Sequence, residues 1–291
     1  MDYHNDRFHD HSILVYKKGE IVAIFPANEL NETVYSHQGL SYGGLVLKQT
    51  IDLYDVIAVF KELLEYYSKN AIKEIEIKLL PRMYHVLPSD EIDYILFKLG
   101  AKCIRKDVAF TIDNSNKLAV TSSNRIRGLK KATKQGVIVN EEDHFDSFWN
   151  EILIPNLKLT HDVSPVHSIE EITSLKEKFP NNIRQFNAYL DDDIVAGVTI
   201  FETRNVAHAQ YISADKNRQE HAGLDLIFDH LINNVFSDKP YFDFGISSEQ
   251  DGKFINQGLS QWKESFGGRS VVHDFYHIET STSIKLEDIF K

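Results

Sequence analysis

At 291 residues the chain is about twice the usual single-domain length, which leaves room for two domains and a sizeable core. A composition that is 42% hydrophobic and 26% charged excludes wholesale disorder, and a single cysteine, Cys103, excludes an internal disulfide framework and any multi-cysteine metal site. With 43 acidic against 32 basic side chains the formal charge is −11, which repels polyanions on average and makes nucleic acid a poor first partner.

The first residues, Met1 to Ser12, are polar, carry His4, His9 and His11, and read as a ragged end rather than a metal site. They contain no apolar signal region, and no run of 18 apolar residues follows, so the expected address is the cytoplasm, with no membrane span. A β-hairpin is expected at Ile13 to Tyr16 and Ile21 to Phe25 around Lys17-Lys18-Gly19, then a Gly-rich strand region from Thr33 to Lys48. Leu53, Ile57, Phe60, Leu64 and Tyr67 recur at helical steps and predict a helix over Asp52 to Lys69. A strand with alternating Ile75, Ile77 and Leu79 is expected at Ile72 to Leu80. A helix from Ser89, read as its N-cap, to Leu99 follows, stopped by Gly100, and a strand at Ile104 to Ile112 closes the series.

Asn114 to Asn124 is polar and aperiodic, a natural boundary, giving domains at 1–120 and 121–291. A basic helix, Arg125 to Gln135, comes next, then helices at His144 to Leu157 and Ser168 to Lys178, punctuated by Pro155, Pro165 and Pro180. Thereafter the order of the first half returns. A hairpin is expected at Arg184 to Leu190 and Ile194 to Phe201, with Ile194-Val195-Ala196 repeating Ile21-Val22-Ala23. Then come a strand at Val206 to Ala214, a helix at Gly223 to Phe236, a strand at Tyr241 to Ile246, a helix at Lys253 to Phe266 and a strand at Val271 to Ile278. Both halves read β-β-β-α-β-α-β, which points to duplication of one α+β module. The second half, with its extra helices, is the more complete one and the place to look for chemistry.

That order is the order of the GNAT acyltransferase core, and a tandem pair of such modules resembles the Fem-type acyltransferases. Four segments carry the resemblance: Ser36 to Leu45, the basic stretch Asn124 to Gly136, the strand Tyr241-Phe242-Asp243-Phe244-Gly245-Ile246, and the helix end Gly258 to Gly268 with its Lys263-x-x-Phe266-Gly267. The resemblance implies two GNAT-like domains, each a mixed sheet flanked by helices. It implies acyl transfer from acyl-CoA, acetyl-CoA for example, as co-substrate, with no tightly bound cofactor, to an amine on a sugar-like or cell-envelope precursor, as in polysaccharide biosynthesis. It places the CoA pyrophosphate at Arg218, Gln219, His221, Ala222 and Gly223, although His221 stands where that family's first glycine would be. The alternatives are an aminoacyl-tRNA donor, which the net charge and the lack of a coiled-coil arm disfavour, and a non-catalytic glycan- or protein-binding role.

Acyl transfer to an amine needs a base, an oxyanion donor and an acid for the leaving group. Asp243 on its apolar strand, Glu249 just beyond that strand, and His161 in an inserted loop are candidate bases. Lys263 falls at the family lysine near the reacting carbonyl, and Tyr211 and Tyr276 are candidate acids. His208, His167 and Tyr276 are candidate substrate contacts. His208 and Tyr211 share a sheet face only if their strand carries a bulge. The basic helix is a candidate phosphate site, Gly39, Gly43 and Gly44 read as turn or bulge residues, and His161 and His167 lack the partners for a metal site. Reaction in the second domain and in a cleft between the domains is the resulting expectation.

Overall fold

Asp52 starts the first long helix: its side chain accepts from the Asp55 N–H at 2.8 Å, and Leu53–Lys69 follows as α1, as the periodicity predicts. The structure, a computed structural model, describes residues 6–290 apart from the side chain of His161, so His4 lies outside the described residues. It is α+β, with mixed sheets flanked by helices. It divides into two compact units.

The first unit is the described part of Met1–Val108 together with Glu249–Phe254 and Val272–Lys291. Its strands are β1 (His9–Asp10), β2 (Ile13–Lys17), β3 (Glu20–Phe25), β4 (Asn28–Leu30), β5 (Thr33–Tyr35), β6 (Val46–Leu47) and β7 (Glu74–Lys78), with α2 at Glu91–Leu99. One sheet runs β1-β4-β5-β7, and β7 pairs antiparallel with Phe275 to Glu279 of the last strand; β2, β3 and β6 form a small sheet. Ile75 and Ile77 point one way from β7 and are covered by Phe60, Leu63 and Leu64 of α1 and by Ile95, Leu96 and Leu99 of α2. Each such fully buried side chain stabilises the fold by roughly 1.5–3 kcal/mol. Helix α2 begins at Glu91 rather than Ser89, because the Ser89 hydroxyl bonds the Glu91 carboxylate instead of a backbone amide; Gly100 ends it at φ +70°. The Gly-rich region holds only the short β5 and β6. Between them the chain folds against the end of β7, where the Lys78 N–H donates to Ser36 Oγ and Lys78 Nζ to the Leu40 carbonyl. That stretch fills the place beside β7 beyond Tyr35.

The strand β8 (Lys102–Asp113) begins in the first unit, and its Ala109–Asp113 end belongs to the second, which comprises Ala109–Ser248 and Ile255–Val271. Here lie α3 (Ser123–Gln135), β9 (Ile138–Glu142), a π-helical turn at Phe148–Leu153 running into α4 (Ile154–His161), α5 (Ile169–Lys178), β10 (Ile183–Leu190), β11 (Asp193–Glu202) and β12 (Val206–Ala214). A single turn, α6 (Arg218–His221), precedes α7 (Gly223–His230), which ends in a second π-helical segment, Leu231–Val235. Strands β13 (Tyr241–Ile246), β14 (Ser248–Glu249) and β15 (Phe254–Ile255), helix α8 (Gln257–Glu264) and strand β16 (Arg269–Glu279) follow, and after β16 comes a 3₁₀-helical segment at Thr280–Leu286. The second unit's sheet runs β9-β10-β11-β12-β13 and ends on Ala109 to Asp113 of β8.

Phe242 and Phe244 on one face of β13 pack against Phe228 of α7 and Trp262 and Phe266 of the α8 end. On the other face Phe148, Trp149, Ile172 and Tyr211 form a second cluster. Gly197 of β11 permits it, since a Cβ there would stand 2.2 Å from the Phe148 ring. Helix α5 starts on the reciprocal Ser168–Glu171 capping box. Edge strand β9 and turn α6 have no counterpart in the expected series.

Candidate active site

Strands β12 and β13 run parallel and pair only at their beginnings, Val206 to His208 against Tyr241 to Asp243. Beyond that point each continues, β12 to Ala214 and β13 to Ile246, without further pairing between them among the described residues. The strands therefore part, and alternate backbone groups of Ala209 to Ala214 face the opening. Two local features force the parting. Gly245 takes φ +72°, outside strand geometry, and the β11–β12 register slips at Gln210, where Thr199 opposes Tyr211 but Ile200 opposes Ala209.

That bulge settles which side chains share a face. His208 opposes Phe201 and Tyr211 opposes Thr199, two positions on one side of β11, so His208 and Tyr211 lie on the same face. Asp243, the parallel partner of His208, is fully buried. Its Oδ1 accepts from the Thr111 hydroxyl at 3.1 Å and the Gly245 N–H at 2.9 Å, and its Oδ2 lies 2.8 Å from His208 Nδ1. An ionised carboxylate only accepts hydrogen bonds, so it fixes the proton on Nδ1 and leaves Nε2 of His208 as the basic nitrogen. Nε2 has no hydrogen-bonding side chain or backbone partner among the described residues, and 14% of the side chain is exposed.

Lys263 of α8 is buried and reaches the end of the same strand, donating from Nζ to the carbonyls of Gly245 at 2.9 Å and Ile246 at 2.6 Å. Burial pushes its pKa down to about 8, partly offset by the nearby Asp243 carboxylate. The lysine thus ties the parted end of β13 to α8. Close by in the fold, His167 Nδ1 meets the Tyr211 hydroxyl at 2.5 Å, and the Trp149 indole donates to the His167 carbonyl.

Of the candidates read from the sequence, the structure gathers Asp243, His208 and Lys263 around the end of β13 and joins His167 to Tyr211. Thr111 was missed, because one threonine in the otherwise apolar stretch 108–112 carries no signal until its partner strand is known. Glu249 is exposed and falls in the first unit, as does Tyr276, whose phenol is pushed up by burial and then by Asp274. His161 ends α4, and its side chain lies outside the described residues. His11 lies 2.8 Å from Glu29. Among the described residues no group of three or more His, Cys, Asp or Glu side chains is placed to hold a metal ion, and no helix is long and apolar enough to cross a membrane.

The segment expected to cradle a pyrophosphate is wound into α6. The N–H groups of Glu220 and His221 donate to the Asn217 carbonyl and that of Ala222 to Arg218, so these donors are spent inside the chain. Gly223 is pressed onto Ala188, Val195 and Ala196, where its Cβ would meet atoms at 3.0–3.3 Å, and His221 Nδ1 stands 2.9 Å from the Asp215 carboxylate. Arg125 of the basic helix is paired with Asp225 of α7 and stacked 5.1 Å from the Phe266 ring. Arg127, Lys130, Lys131 and Lys134, with Lys216 and Arg218, are exposed and form no ion pair among the described residues. Lys131 Nζ donates to the Gln219 carbonyl, tying the cationic face of α3 to α6.

No protein-family model and no curated protein matches the chain. Solved structures do. FemX superposes with a TM-score of 0.67 at 10% identity, over 96% of this chain and 90% of its own. The C-terminal domain of a protein described as a lysylphosphatidylglycerol synthetase from Agrobacterium fabrum gives 0.63 at 10% identity, over 96% and 87%. L-PGS from Bacillus licheniformis gives 0.59 at 11%, over 94% and 88%. The fold is Fem-like. Within it, the parted β12 and β13 are the feature around which the part-buried His208 and the buried Asp243 and Lys263 collect.

Proposed function

We propose that this Fem-like chain is an acyltransferase that moves an activated acyl group onto an amine, with His208 as the base. The observation that carries the proposal is the opening between β12 and β13 with the Asp243-oriented His208 at its root. The amine nitrogen attacks the donor carbonyl, a C–N bond forms as the C–S or C–O bond breaks, His208 Nε2 takes the proton from nitrogen, and the leaving sulfur or oxygen is protonated in turn. Backbone N–H groups of Ala209 to Ala214 that face the opening are positioned to receive the oxyanion. Lys263 keeps the end of β13 in its parted position.

For the donor, acyl-CoA is the first reading, with its phosphates on the exposed cationic side chains of α3 and of Lys216 and Arg218 rather than on backbone N–H groups of the wound Arg218 to Gly223 segment. An aminoacyl-tRNA is the second. It is favoured by the six cations without an ion-pair partner among the described residues, a larger footprint than one cofactor needs, and by one neighbour described as a lysylphosphatidylglycerol synthetase. The acceptor we favour is an amine on a sugar-like or cell-envelope precursor.

The test is amide formation, read by mass spectrometry, with acetyl-CoA or lysyl-tRNA as donor and a panel of amino sugars as acceptors. One donor is expected to give product, with His208→Gln slower by roughly 10²- to 10⁴-fold. Salt separates the donors, since tRNA binding falls steeply with ionic strength. No product from either donor, or an undiminished rate in His208→Gln, would overturn the proposal.

A further inference from the structure

A cavity of about 530 Å³ opens in the second unit, away from the His208–Asp243 pair. Its walls come from three elements. Helix α7 and its π-helical extension give Asp225, Asp229, Ile232 and Asn233; α3 gives Arg125, Ile126 and Leu129; the segment 117–120 gives Lys117, Leu118 and Val120. Phe266 also lines it. Leu118, Val120 and Ile126 are 41, 37 and 41% exposed, so three large apolar side chains face the same concave space instead of being scattered singly. Ile232 and Phe266 are buried.

The charged side chains on the walls are already engaged by contacts within the protein, one pair of them ionic. Lys117 Nζ donates to the Ile232 carbonyl at 3.2 Å and to Asn233 Oδ1; Asn233 Nδ2 donates to Asp229 Oδ1 at 2.8 Å; Arg125 is paired with Asp225. A charged guest would have to break one of these contacts on entering and leave a desolvated charge behind. An apolar guest gains the burial of Leu118, Val120 and Ile126 at no such cost. The volume lies in the range of small-molecule sites, and apolar walls with a few fixed polar groups are the lining such sites use.

We propose that this cavity is a binding site for an uncharged amphiphile, whose apolar body lies against Leu118, Val120, Ile126, Leu129 and Phe266. The site is separate from the reaction centre and does not rest on the acyl-transfer reading. Phe266 joins it physically to α8, because its ring lies 5.1 Å from that of Trp262.

Titration with the neutral probe N-phenyl-1-naphthylamine tests the site, followed by displacement with 1-monodecanoylglycerol. Saturable binding of one probe per chain is expected, with displacement by the monoglyceride and a change in Trp262 emission. Leu118→Glu and Ile126→Glu place a charge in the apolar wall and are expected to weaken binding roughly tenfold or more, while their melting curves overlay that of the wild type. Ile126→Gln supplies the comparison if the glutamate variant does not fold. Absence of saturable binding, or equal affinity in the wild type and the folded variants, would overturn the proposal.

Discussion

Both oxygens of Asp243 are committed, one to Thr111 and Gly245, the other to His208. Asp243→Asn replaces one acceptor by an NH₂ group, which cannot receive the Nδ1 proton and so reverses the tautomer of His208. Loss of transfer by roughly 10²- to 10⁴-fold is expected, read as amide formed per folded molecule, with an unchanged rate contradicting the assignment. Lys263 supplies a pH signature. Its folded pKa of about 8 lies below the unfolded value, so between them the unfolded chain binds more protons and stability rises with pH. Below about pH 8 the cost of burying the charge is present in full. Denaturant unfolding at pH 7.5, 8.5 and 9.5 is expected to show the wild type gaining stability relative to Lys263→Met across the series; parallel curves would place the lysine in water.

At the scale of elements, helix α3 meets α7 so closely that Gly128 is required: a Cβ there would stand 2.1 Å from Asp225 Oδ2. Gly128→Ala is expected to displace the Asp225 carboxylate from Arg125 and destabilise by about 1–3 kcal/mol, seen as a lower melting temperature. Elements were legible where pattern and burial agree. Val206–Ala214 and Tyr241–Ile246 match the expected strands residue for residue, because their short apolar-rich segments carry the two-residue period of a strand. The π-helical segments, the α6 turn and the edge strand β9 were not legible. Each is set by packing or pairing with residues distant in sequence, and none leaves a period of its own. The site was legible in part for the same reason. A lone carboxylate among Phe242, Phe244 and Ile246 marks Asp243, and the Lys263-x-x-Phe266-Gly267 segment marks the lysine. The face of His208 depends on a bulge at Gln210 that exists only relative to β11.

At the scale of the whole molecule, the duplicated strand order becomes two units of unequal suitability for chemistry. In the first, the chain from Ser36 to Gly43 bonds along the end of β7, and the space beside that strand is filled. In the second, β12 and β13 part beyond His208 and Asp243, leaving strand edges unpaired with each other. A net charge of −11 coexists with the exposed cations of α3 and α6, which supports a phosphate-bearing donor arriving there. Amide hydrogen exchange of the full chain, with acetyl-CoA and then with an aminoacyl-tRNA, tests this account most directly. One of the two donors is expected to slow exchange at Ala209 to Ala214 and Phe244 to Ile246; unchanged exchange in both segments with both donors would contradict it.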